Sequence, residues 1–278
     1  MLRQRVITAV VLLALLLPAL LAHSLWPFAM LCLLAVGAAG WEWGRLNGAT
    51  SASALALGAL LVIGGALAYS SHAAATSGWL WWAAVSVWVL GGVWALGRGV
   101  AAWPRLGKGL RAVVGLAILL TAWLALVRAK AMGVNFLLSV FCLVWAADIA
   151  AYFGGRAFGR HKLAPSISPG KSWEGVWSGM LGVLLLACAW LALDSRGAMV
   201  DSQSIYSLLR ERAGWAGLTV GVLFLTAMSV VGDLFESMVK RSAGAKDSSQ
   251  LLPGHGGVLD RIDALLPVFP IALALASF

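Results

Sequence analysis

Between Ser237 and Asp263 a chain otherwise suited to lipid concentrates charge and glycine. Lys240, Arg241, Lys246 and Arg261 are cations able to hold phosphate groups, and the Arg261 fork can do so bidentately. Asp247, Asp260 and Asp263 supply the oxygen donors that a hard cation such as Mg²⁺ prefers. Asp260 and Asp263 stand three apart, so one helical turn puts both carboxylates on one face; a solvated helix start is the plainer reading of the same spacing. In Pro253-Gly254-His255-Gly256-Gly257 the glycines allow the backbone to approach a ligand and aim its amides at an anion. His255 can contact phosphate there, transfer a proton or cap the turn. The segment points to chemistry on phosphorylated substrates.

Three further sites carry polar groups where apolar ones are the rule. Gly170-Lys171-Ser172 is not a P-loop, because Pro165 occupies the position that needs glycine and no strand is expected before it. Lys171 with Ser168 and Ser172 can still cradle phosphate, while Arg156, Arg160 and Lys162 fit that role and contact with anionic lipid heads equally well. Asp148 lies roughly 8 Å inside its apolar run, counted at about 1.5 Å per residue, a costly place unless it faces a cavity or a partner such as Arg156. Asp233 ends another run at the same level, beside Gly232, where a neighbouring backbone can come close.

The elements that must position these groups are membrane helices. Of 278 residues, 61% are hydrophobic and 11% charged, against roughly a quarter charged in ordinary soluble domains. About nine apolar runs are near the length needed to span a bilayer: 6–22, 24–40, 53–70, 79–96, 112–127, 134–153, 176–193, 215–235 and 264–278. They lack the alternation of barrel strands, which predicts an all-α polytopic membrane protein. With the amino terminus in the cytoplasm, 15 of the 20 Lys and Arg residues fall on the inner side, the bias expected of inner loops. Topology thus accounts for most of the net charge of +9, and nucleic acid is not an expected partner. Residues 1–25 imitate a secretory signal but open a series of similar runs, so they are read as a first span. Cys32, Cys142 and Cys188 lack the spacing of a disulfide framework or zinc site. The Trp79, Trp81, Trp82 group is expected at the interface, and Gly175/Gly179 and Gly217/Gly221 at close helix contacts. Residues 1–133 read as a transmembrane scaffold and 134–278 as the catalytic half of one membrane domain.

Ser237, Lys240, Arg241, Lys246, Asp247, Pro253, His255, Gly256, Gly257, Asp260, Arg261 and Asp263 fall where the signature of phosphatidate cytidylyltransferases expects them, and the chain resembles that family of the bacterial type. The region from Asp148 to Arg156, the segment from Ser168 to Gly175 and Gly232-Asp233 are similar to further motifs, with Ser172 where Thr is commoner. The resemblance implies a reaction of CTP with phosphatidate that gives CDP-diacylglycerol and pyrophosphate, at the cytoplasmic face of the bacterial inner membrane. It implies one or two Mg²⁺ ions, or Mg²⁺ with a second kind of cation, on Asp233, Asp260 and Asp263. Lys171, Lys240, Arg241, Lys246 and Arg261 would bind the phosphates, with His255 and Ser168 beside them. Asp148 and Asp247 are second candidates for metal or nucleotide. Membrane lipids are partners, and a homodimer is left open. Competing readings are a CTP-dependent lipid-alcohol kinase and an ion-coupled transporter using Asp148 and Asp233.

Overall fold

Backbone in lipid must satisfy its own hydrogen bonds, and the computed structural model, which describes residues 2–71, 78–197 and 201–277, is accordingly helical. Among the described residues, eight helices are long and apolar enough to cross a membrane: α1 (Leu2–Leu21), α2 (Trp26–Leu46), α3 (Ser51–Ser70), α4 (Trp79–Arg98), α5 (Lys108–Met132), α6 (Val134–Phe158), α7 (Trp173–Asp194) and α8 (Ile205–Ser242). Several outrun their expected spans because helix continues past the apolar stretch into the polar ends; α6 and α8 carry Arg156, Lys240 and Arg241 on those overhangs.

The last expected span, 264–278, takes a different form. One turn, α9 (Leu259–Ile262), leads into α10 (Leu265–Ala276), a helix of 12 residues. At 1.5 Å per residue it is about 18 Å long, well short of the roughly 30 Å hydrocarbon core. Phe278 lies outside the described residues. α10 is buried on almost every side between α4, α5, α6 and α8, and Arg212 Nη1 donates to the carbonyl of Ala276 at its far end at 2.7 Å. Its all-round apolar sequence therefore reflects protein packing as much as lipid.

α8 breaks at Ala213 (φ −133°) and Gly214 (φ +63°), the second a conformation glycine adopts without penalty. The expected span beginning at 215 coincides with the helix after this kink. Gly217 and Gly221 lie against the segment before the kink, at Ala213 and Leu209, instead of against a separate helix. Gly175 and Gly179 do what their spacing suggests: a Cβ on either would come within 2.9 and 3.0 Å of the carbonyls of Ala151 and Ala147, so α7 packs tightly on α6.

Between α6 and α7 the polar segment folds as an antiparallel hairpin, β1 (Lys162–Ala164) and β2 (Ser168–Ser172), with Lys162 opposite Ser172. Ser172 ends the strand and caps α7, its hydroxyl accepting from the Gly175 amide at 3.2 Å. Glu174 accepts from the amides of Arg160 and His161 and pairs with His161 Nδ1 at 2.6 Å, which pins the hairpin to α7. Among the described residues this hairpin is the only sheet. The three cysteines are free and separate.

Candidate active site

The carboxyl-terminal turns of α8 present Asp233, Glu236, Ser237 and Lys240, three or four residues apart, to the ends of the neighbouring elements. Lys171, on β2, reaches Asp233 Oδ2 with its Nζ at 2.5 Å, and Ser237 Oγ donates to the other oxygen at 3.3 Å. Both members of this ion pair are 28% exposed, because they border a cavity of about 510 Å³ whose lining includes Asp148, Tyr152, Arg156, Ser168, Lys171 and Asp233. Asp148 is open to this space, and its charge interacts with those of Lys171 and Asp233. Much of the remaining wall is small or apolar, including Gly175, Val176, Gly179 and Val230.

A second ion cluster lies deeper. Lys240 Nζ sits 2.6 Å from Glu236 Oε2 and 2.6 Å from Asp260 Oδ1. The other Asp260 oxygen accepts from Gly257 N at 2.7 Å, Ser248 N at 2.9 Å and Ser248 Oγ at 2.9 Å. Burial works against ionising Asp260, but the Lys240 bond and the two amides outweigh it and hold its carboxyl below the ordinary range.

Asp263 is placed differently. Its Oδ1 accepts from the Ala264 amide at 2.7 Å, and burial pushes its carboxyl up to about 8, with the negative charge of Asp233 adding to the rise. Gly232 lets the chains meet here: a Cβ on it would lie 2.6 Å from the Asp263 carbonyl oxygen.

The carboxylates of Asp233 and Asp263 are oxygen donors of the kind a hard cation takes, and the charge of Asp233 opposes ionising Asp263. Asp260 is not part of that pair. Both its oxygens are engaged by Lys240, Gly257 and Ser248, and the described residues hold no group of three or more acidic, His or Cys side chains arranged for a metal. The three-aspartate ligand set expected from the sequence is therefore not assembled in this arrangement.

The remaining candidates divide. Lys246 and Asp247 line a separate polar cavity of about 580 Å³ with Arg45, Ser248, Ser249 and Gln250. Arg241 is turned to backbone, its Nε donating to Ile167 O at 3.3 Å and its Nη1 to Ala245 O at 3.1 Å. Arg261 Nε donates to the carbonyl of His255 at 3.0 Å, while His255 Nδ1 is buried without a hydrogen-bond partner. From the far side of the loop, α1 adds Arg5 Nε to Gly254 O at 3.0 Å and Thr8 Oγ1 to Pro253 O at 2.9 Å.

A sequence profile described as the cytidylyltransferase family matches residues 3–278. The chain belongs to the cytidylyltransferase family. Among its relatives, the phosphatidate cytidylyltransferase of Pseudomonas aeruginosa is 42% identical over 282 aligned residues, covering 99% of this chain and 97% of that protein. The phosphatidate cytidylyltransferase of Haemophilus influenzae is 52% identical over 138 residues, which cover 50% of this chain and 44% of its own length. That of Brucella suis is 41% identical over 174 residues, 62% of this chain and 55% of the relative.

Two acidic residues of this cytidylyltransferase-family chain escape the sequence reading. Glu236 carried a usable signal, since it stands four residues before Lys240 on one helix. Glu42 carried a plainer one: it is the only Asp or Glu before Asp148. It is fully buried, and the loop from Ser248 to Leu259 is bonded to it.

Proposed function

We propose that this chain is a phosphatidate cytidylyltransferase, transferring CMP from CTP to phosphatidate to form CDP-diacylglycerol and pyrophosphate. The observation that carries this reading is the 42% identity to the Pseudomonas aeruginosa enzyme across 99% of the chain. The site chemistry agrees with it. A phosphate monoester has a second pKa near 6, so at neutral pH phosphatidate is largely a dianion and a nucleophile without a strong general base. The obstacle is bringing two polyanions together, which calls for positioning and charge neutralisation.

Lys171 would take the lipid phosphate at the mouth of the 510 Å³ cavity, whose small and apolar wall suits a diacylglycerol body. Lys246, which lines the second cavity with Arg45, would meet the triphosphate on the other side. Asp233 and Asp263 would hold Mg²⁺, and Asp260 would join them only by releasing Lys240. When bound, the ion supplies charge neutralisation at the α-phosphate and the leaving pyrophosphate. Asp148 would orient Lys171 and water at the cavity wall. Arg241 would act by shaping the loop, since its donors are spent on carbonyls. The site would open to the cytoplasm at the bacterial inner membrane, where CTP is available, with the basic helix ends on that side. The carboxyl-terminal half, from residue 134, would carry the reacting groups.

The deciding experiment supplies purified protein in micelles with labelled CTP, with and without phosphatidate and Mg²⁺. CDP-lipid and pyrophosphate should appear together only when both are present, and Asp233→Asn protein of normal yield should lose at least about 100-fold, the scale of removing one preorganised charged group. A phosphorylated lipid alcohol with CDP as the products would replace this reading with a kinase.

A further inference from the structure

The loop that bears Asp260 and Asp263 is held from the amino-terminal half of the molecule. Glu42, in the last turns of α2, is 0% exposed and forms no ion pair among the described residues. Its carboxylate accepts four hydrogen bonds from the two ends of a single loop. Ser248 Oγ lies at 3.1 Å and Ser249 Oγ at 2.5 Å on one end, and Val258 N at 2.9 Å and Leu259 N at 2.7 Å on the other. Gly257 approaches so closely that a Cβ would collide with Glu42 Oε1 and Ser248 Oγ.

A buried carboxylate is costly unless its lone pairs are filled. Here they are filled from two stretches nine residues apart in sequence, Ser249 and Val258, which Asp260 also bridges through Ser248 and Gly257. Ser248 links the tie to the site directly, because its hydroxyl is within hydrogen-bond distance of both Glu42 and Asp260. The α9 turn that follows is only four residues long, too short for its helix ends to matter on their own. What the tie fixes is the position of the turn, and with it the direction of Asp260 and Asp263.

We infer that Glu42 is a positioning residue of the active site: it draws residues 248–249 and 258–259 together so that Asp260 meets Lys240 and Asp263 is set against Asp233. The inference rests on the cytidylyltransferase reading for its activity readout, but the tie itself can be measured without turnover. Glu42→Gln keeps shape and one acceptor oxygen, yet turns an amide donor towards an N–H. It should lower kcat by about tenfold to a hundredfold, the rate equivalent of one or two lost hydrogen bonds to a charged acceptor, while the KM for phosphatidate stays within about twofold. Backbone amides from 248 to 264 should exchange hydrogen faster, with α7 unchanged. Wild-type turnover in the variant, or lost turnover with unchanged exchange in this loop, overturns the inference. If Glu42→Gln protein does not fold, Ser249→Ala removes one of the four donors and leaves the carboxylate. Severalfold slower turnover with faster exchange at 248–259 then supports the tie, and no change in either overturns it. Wild-type protein that releases no pyrophosphate from CTP would sink the proposed activity instead, and the exchange data would still judge Glu42.

Discussion

Lys240→Met tests the deeper ion cluster. Lys240 is 11% exposed and touches Glu236 and Asp260, whose side chains are 1% and 6% exposed, both at 2.6 Å. The two carboxylates do not suffer equally when the ammonium goes. Asp260 keeps Gly257 and both Ser248 donors, whereas the Glu236 oxygens have no other hydrogen bond. Removing one member of a buried pair costs about 3 to 5 kcal/mol, and most of that here comes from stranding Glu236. At roughly 2 to 4 °C per kcal/mol for a chain of this size class, the thermal midpoint should fall by about 6 to 20 °C. Tryptophan emission of protein in micelles, heated at one fixed rate, reads the midpoint. Adding Glu236→Leu to the same chain should restore more than half of the loss, because it removes the stranded carboxyl altogether. A loss under about 1 kcal/mol, the scale of an exposed pair, or a double variant no more stable than Lys240→Met alone, would refute the assignment of Lys240 as the neutralising cation.

Lys171→Met should behave in the opposite way, losing CDP-lipid formation by about 100-fold while shifting stability by less than about 1 kcal/mol, because this partly exposed pair is weak as a support; equal losses in both would make Lys171 structural. Gly232→Ala forces a Cβ to within 2.6 Å of the Asp263 carbonyl and 2.8 Å of Pro267 Cδ, so it should destabilise by about 1 to 3 kcal/mol, and a neutral effect on the thermal midpoint would contradict the packing. Asp263 gives a pH prediction. Its carboxyl, raised to about 8, keeps its proton in the folded chain after the unfolded chain has lost it near pH 4. In EDTA, the Asp263 contribution to stability should therefore be most favourable in acid and decline as pH rises from about 4 through about 8, by at most about 1.4 kcal/mol per pH unit. Mg²⁺ should flatten that slope by replacing the proton, and Asp263→Asn should make it shallower; a variant with the wild-type slope would remove Asp263 from the account.

The sequence made the helices legible because each apolar run meets the bilayer's length requirement, and it located the site because charge is scarce. Asp148, Lys171 and Asp233 stood out against apolar neighbours, and the structure gathers them around one cavity. What could not be read was which charge answers which. Lys171 and Lys240 look like phosphate ligands in the sequence, yet in the fold each holds an aspartate at 2.5 and 2.6 Å, pairings that span 62 and 20 residues and have no local signature. The hairpin was hidden because Pro165, Pro169 and Gly170 interrupt any strand pattern. In sequence α10 resembles a full span because composition alone does not distinguish burial in protein from burial in lipid. Glu42 has no local signature because its partners lie more than 200 residues away.

The two lysine–aspartate pairs have a thermodynamic consequence for how ligands arrive. Lys171 and Asp233 are each other's counter-ions, and Lys240 serves both Asp260 and Glu236. An anion that captures Lys171 leaves Asp233 short of positive charge, and a cation that captures Asp233 leaves Lys171 free for an anion. Each ligand thus lowers the work of binding the other, and reciprocity requires the factor to be the same in both directions. A nucleotide that arrives already carrying its cation pays neither half of this exchange separately. The charges of the site answer one another, and the natural key is an ion pair.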